Sequence, residues 1–171
     1  PVIQPLFDRS IDEGVFFSQE IDVSDPDGQA ATVLITPLPT GASLGEEGRF
    51  DWQPSFDQAG SHPLTVTVTD GSLTDSVDWT VTVLGVNRPP VFGPVGEQVL
   101  NEGEQMLFVA EAFDPDGDDV RLSAPSIPPA ARFDPETGEC TWDAGFEAAG
   151  DWMLVIAASD GAEQVMLRVP V

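Results

Sequence analysis

Four short acidic motifs hold the residues of this chain best suited to chemistry. Asp25-Pro26-Asp27-Gly28 and Asp114-Pro115-Asp116-Gly117 each set two carboxylates one residue apart, and Asp70-Gly71 and Asp160-Gly161 each open a further turn with an acid. Proline presets the first corner of such a turn and glycine permits the positive φ that follows, so the paired carboxylates can point the same way. Three carboxylates held together repel strongly unless a cation neutralises them, and hard oxygen donors in that number suit Ca²⁺. Aspartate also builds turns through hydrogen bonds to its own backbone, which is the competing explanation. An EF-hand does not fit, because Asp119 stands where that loop needs glycine and Pro125 where it needs a bidentate glutamate.

The elements that must position these acids repeat along the chain. Glu13-Gly14 returns as Glu102-Gly103, and the two Asp-Pro-Asp-Gly turns share that displacement of about 89 residues. Gly48, Trp52, Phe56, Ala59-Gly60, Leu64 and Asp70-Gly71 return as Gly138, Trp142, Phe146, Ala149-Gly150, Leu154 and Asp160-Gly161, one residue later, so a residue has entered a turn near Thr137. A period of this length suits an independently folding module, which predicts two domains, 1–87 and 88–171.

Period-two alternation marks the strands. Leu64, Val66 and Val68 alternate with threonines, Val77, Trp79, Val81 and Val83 alternate with polar residues, and the second copy repeats this through Trp152, Leu154, Ile156 and Ala158. Further strands are expected over 16–23, 32–36, 105–112 and 120–124. Glycines and prolines fall mainly between these runs, so the reading is all-β, two tandem Greek-key β-sandwich domains. In that topology the loop after the second strand and the loop after the sixth share a pole. Asp25, Asp27 and Asp70 should therefore converge, as should Asp114, Asp116 and Asp160.

Charge narrows the partners. Thirty acids face six arginines, with no lysine, for a net charge of −24, and each copy carries −12. Such a surface repels nucleic acid and anionic membranes and attracts cations; solubility in a salty medium is a second cause of the same excess. A hydrophobic content of 41% excludes a disordered acidic tail. No signal peptide opens the chain and no apolar run approaches the ~20 residues that cross a membrane. Pro1-Val2 resembles Pro90-Val91, which reads as an excised piece of a longer array. Phe50 and Trp52 share a strand face, as do their counterparts Cys140 and Trp142, so the tryptophans read as core anchors rather than sugar platforms, and the lone Cys140 as a buried thiol. His62 is the only histidine and falls on the apolar face of a strand beside Pro63, with no basic partner or suitably placed nucleophile in view, so neither a catalytic triad nor a histidine-based metal centre is expected. The chain is expected not to be an enzyme.

With these residues in place the chain resembles tandem cadherin-like domains, specifically prokaryotic dystroglycan-type cadherin or immunoglobulin-like repeats. The resemblance is carried by Asn101-Glu102-Gly103, both Asp-Pro-Asp-Gly turns, the Gly-x-x-x-Trp stretches from Gly48 and Gly138, Val68-Thr69-Asp70-Gly71, Ala158-Ser159-Asp160-Gly161 and the linker Val86-Asn87-Arg88-Pro89-Pro90. It implies Ca²⁺ at the junction between domains, with Glu13 from the first, Asn87 from the linker, and Asp114, Asp116 and Asp160 from the second; Asp25, Asp27 and Asp70 would serve a preceding module. Asp57 lies near a further acidic position of the family. Two acidic ligands of the family linker are absent and Arg88 adds a positive charge, so at most one weakly held ion is expected per junction, or Arg88 paired with a carboxylate in its place. The implied role is a Ca²⁺-responsive structural or adhesion repeat of a larger extracellular or cell-surface prokaryotic protein. Its partners would be neighbouring repeats and a surface protein or polysaccharide. The alternative is a carbohydrate-binding module appended to a secreted enzyme or adhesin.

Overall fold

The structure is a computed structural model that describes residues 1–171. It divides into two compact units, Pro1–Val86 and Asn87–Val171, whose regular elements are all strands apart from a 3-10 turn at Glu46–Gly48. No helix is long and apolar enough to cross a membrane.

In the first unit the strands are β1 (Val2–Ile3), β2 (Arg9–Asp12), β3 (Phe17–Glu20), β4 (Val23–Ser24), β5 (Thr32–Thr36), β6 (Ser43–Leu44), β7 (Arg49–Trp52), β8 (Gly60–Thr69) and β9 (Thr74–Leu84). One sheet runs β2-β9-β8-β5, the other β3-β7-β6, and β1 pairs with β4. The long β8–β9 hairpin sets the register, pairing Leu64 with Trp79 and Val66 with Val77. Alternation then sends Leu64, Val66, Val68, Trp79, Val81 and Val83 inward to meet Phe50 and Trp52 from β7. The expected strand over 16–23 is broken into β3 and β4. Ile21 between them is buried, and its amide bonds the Gly48 carbonyl at 3.1 Å rather than continuing the ladder.

The second unit holds β10 (Val91–Phe92), β11 (Gln105–Val109), β12 (Ala112–Phe113), β13 (Arg121–Ser126), β14 (Arg132–Phe133), β15 (Glu139–Asp143), β16 (Met153–Ser159) and β17 (Gln164–Pro170). Its sheets run β11-β15-β14 and β13-β16-β17, with β10 on β12. Here 105–112 is likewise split, and Ala110 bonds the Gly138 carbonyl at 2.9 Å. The added residue lies where the sequence places it. Gly45 N donates to Arg49 O in the first unit, and the matching turn, one residue longer, is closed by Asp134 N donating to Glu139 O.

Two repeated glycines have physical causes. Gly48 and Gly138 adopt φ of 80° and 72°. A Cβ on Gly48 would approach the Ile21 carbonyl oxygen to 3.1 Å, and one on Gly138 would collide with the Ala110 carbonyl oxygen. Gly14 and Gly103 lie beneath the Phe56 and Phe146 rings, whose Cζ atoms are 2.9 and 3.0 Å from where a Cβ would be.

The tryptophans are core anchors with satisfied indoles. Trp52, Trp79 and Trp142 are buried, and their Nε1 groups donate to the carbonyls of Thr40, Phe7 and Pro129 at 3.1, 2.9 and 3.0 Å. Trp152 is half-buried and donates to Ala148 O at 2.9 Å. His62 occupies the place of Trp152. Its Nε2 is 2.7 Å from the Gln58 carbonyl, the counterpart of Ala148, and its ring packs edge-on against Trp52 at 4.9 Å as Trp152 does against Trp142 at 5.8 Å.

Candidate cation site

The acidic turns in both units divide the labour of each carboxylate between its two oxygens. Asp25 Oδ1 accepts the amides of Asp27 and Gln29 at 2.8 and 3.2 Å, and Asp114 Oδ1 accepts those of Asp116 and Asp118 at 2.7 and 3.4 Å. Asp70 Oδ1 takes Ser72 N and Leu73 N, both at 2.7 Å, and Asp160 Oδ1 takes Ala162 N and Glu163 N at 2.7 and 2.6 Å. One oxygen of each therefore builds the turn. The other is left for a cation or donor, so the turn explanation and the cation explanation each describe half of every side chain.

In the first unit the second oxygens of Asp25 and Asp70 face the Pro1 nitrogen, at 3.0 and 3.9 Å. Asp27 is exposed. The amides of Leu73 and Ser72 do most to lower the Asp70 pKa.

In the second unit Arg88 closes on Asp116. Its amide donates to Oδ2 at 2.6 Å, its Nε to Oδ1 at 2.9 Å, and its Nη2 reaches Oδ1 at 2.8 Å and the Pro115 carbonyl at 2.6 Å. Asn87 Nδ2 donates to Asp160 Oδ2 at 2.9 Å. Hydrogen bonds from Arg88 hold the Asp116 carboxyl below the usual range against the opposing charge of Asp160. The Glu163 amide, then Asn87, do the same for Asp160. Asp114 Oδ2 is buried without a partner.

Glu13 is the remaining member of the expected set and belongs to the first unit. It is 5% exposed; its Oε1 accepts Val86 N at 2.7 Å, and its Oε2 is buried without a partner. Burying a carboxylate oxygen unpaired is costly, so such an oxygen asks for a ligand. Asp57 is spent locally on the Ser55 hydroxyl.

The donor chemistry fits a hard cation, since every candidate offers oxygen and the two orphaned oxygens both come from the expected set. The fit is partial. No three His, Cys, Asp or Glu side chains gather into a group that could hold a metal, and Asn87 and Arg88 bond oxygens of Asp160 and Asp116. Sequence reasoning foresaw Arg88 beside a carboxylate but not its reach to Pro115 O. It also missed the exposed aromatics, which are phenylalanines rather than tryptophans: Phe146 is 82% exposed above Gly103. The Phe-x-x-Ala-Gly repeat was the available signal.

Residues 1–84 match a family model described as "Putative Ig domain". Chitinase A of Pseudoalteromonas piscicida is 41% identical over 66 residues, covering 37% of this chain and 8% of that protein, so the match spans under a tenth of the relative. Among solved structures, mouse cadherin-23 EC22-24 aligns over 96% of this chain and 62% of its own, with a TM-score of 0.55 and 16% identity. Human protocadherin-24 EC1-2 aligns over 99% and 94%, with a TM-score of 0.53 and 14% identity. At such identities the likeness shows the fold.

Proposed function

We propose that this chain, a tandem pair of cadherin/immunoglobulin-like repeats with a first repeat of the Putative Ig domain family, is a structural and adhesion segment of a larger extracellular or cell-surface polypeptide, stiffened by Ca²⁺ at the junction of its repeats. The observation that carries the Ca²⁺ part is that Glu13 Oε2 and Asp114 Oδ2 are buried without partners and both belong to the expected ligand set. Bound Ca²⁺ would supply the positive charge these oxygens lack. Glu13 and Asp114 would hold it, with Asp116, Asp160 and Asn87 available to the extent that Arg88 and the Asn87–Asp160 bond release them, and Asp25, Asp27 and Asp70 would play the matching part toward a preceding repeat. Pro89-Pro90 favours an extended, stiff linker.

The test is thermal unfolding in EDTA, in millimolar Mg²⁺ and in millimolar Ca²⁺ at fixed ionic strength, on the wild type and on Asp114→Asn. A Ca²⁺-selective rise of several degrees in the wild type is expected, together with its loss in the variant. Superimposed curves would leave a spacer whose acids serve turns and solubility alone.

The similarity to Chitinase A and the exposed Phe146 favour one second reading, a polysaccharide-binding module on a secreted enzyme. Retention of the chain on insoluble chitin, weakened by Phe146→Ala, would establish it. Passage of the wild type through the same column would remove it.

A further inference from the structure

Arg88 gathers an oxygen set of the kind a divalent cation takes. Both Asp116 oxygens and the Pro115 carbonyl oxygen, a carboxylate and a main-chain carbonyl together, are bound by one residue through its amide, Nε and Nη2 at 2.6 to 2.9 Å. The Arg88 side chain is 32% exposed and Asp116 19%, whereas the other side-chain ion pair, Arg49 with Asp51, leaves Arg49 66% exposed. A surface pair such as Arg49–Asp51 contributes little. The Arg88 guanidinium is more enclosed than that of Arg49 and meets Asp116 through both Nε and Nη2, and because it belongs to the chain no translational freedom is lost in bringing it there.

The neighbouring acids make a counter-ion necessary. Asp114 contributes a buried oxygen without a partner, Asp160 turns an oxygen to Asn87 on the adjoining loop, and the second repeat carries −12 overall. We infer that Arg88 is a built-in cation that occupies the Asp116 side of the second repeat's acidic pole and competes with a divalent metal for it. This rests on the Ca²⁺ reading for the identity of the competing ion, but not for the clamp itself. A guanidinium carries one charge, cannot be chelated and does not depend on external concentration. Arg88 thus keeps part of the pole neutralised when Ca²⁺ is scarce, at the expense of Ca²⁺ affinity.

The experiment uses the full chain with Arg88→Gln and Arg88→Met, the latter keeping the apolar stem of the side chain and guarding against a packing defect. Melting is measured in EDTA, and Ca²⁺ binding by titration calorimetry. Both variants should melt below the wild type in EDTA and recover in Ca²⁺. Both should bind Ca²⁺ on the order of tenfold more tightly than the wild type, the scale of one charge-assisted contact. Variants that melt like the wild type in EDTA, or that bind Ca²⁺ no more tightly than it does, overturn the inference. Failure of the Ca²⁺ reading is seen separately, in a wild type whose melting ignores Ca²⁺.

Discussion

Asp160 and Asp116 illustrate how a single carboxylate can serve two masters. Oδ1 of Asp160 organises the turn through Ala162 N and Glu163 N while Oδ2 receives Asn87, and all three bonds favour the charged form. The folded-state pKa values of both acids lie below the unfolded value near 3.9. Their contribution is therefore fully present above that pH and is lost as pH falls through the folded values. Melting temperature is expected to drop below about pH 4, and Asp116→Asn should show a shallower acid limb because that proton-linked contribution is already gone. A variant whose acid limb parallels the wild type would mean that the Arg88 bonds do not favour ionised Asp116.

Strands β7 and β15 solve one packing problem in two ways. On β7 the buried Phe50 lies between Gln19 of β3 and Leu44 of β6; on β15 the buried Cys140 lies between Phe108 of β11 and Phe133 of β14. The aromatic volume has moved from the middle strand to its two neighbours, which pack against the same core. Cys140 is accordingly a small core residue, and burial raises its thiol pKa. Cys140→Phe should overfill this layer and cost about 1–3 kcal/mol despite restoring the first repeat's residue. Denaturant unfolding measures this; an unchanged or higher midpoint would show that the Phe108 and Phe133 rings leave room.

At the scale of the whole chain, thirty acids against six arginines must be held in a compact state. Screening with monovalent salt has two opposing effects, weakening the Arg88–Asp116 pair and relieving the repulsion of a −24 surface. One partly exposed pair counts for less than a repulsion summed over two repeats, so relief should win. Going from 0.01 to 1 M NaCl shortens the Debye length from about 30 to about 3 Å, and the melting temperature is expected to rise across that range. A fall in melting temperature would mean that the ion pair outweighs the dispersed repulsion.

The two-copy organisation, the all-β sandwich, the inward tryptophans and the acidic turns were all legible along the chain. They depend on local periodicity and turn chemistry, and each was written down twice: 25–28 and 114–117, 48–52 and 138–142. Even the insertion near Thr137 and the substitution of His62 for Trp152 could be read by comparing the copies. The breaks within the strands at Ile21 and Ala110 could not, because each depends on a glycine carbonyl approaching from Gly48 or Gly138 in a different part of the fold. Tertiary structure alone decided which oxygen of each acid is free. Arg88 reaches Asp116 across 28 residues, and Asn87 reaches Asp160 and Val86 reaches Glu13 across 73. Side-chain pairing over such separations leaves no periodic trace in sequence, so the sequence announces an acidic module with an arginine in its linker, while only the folded chain shows which oxygens that arginine takes.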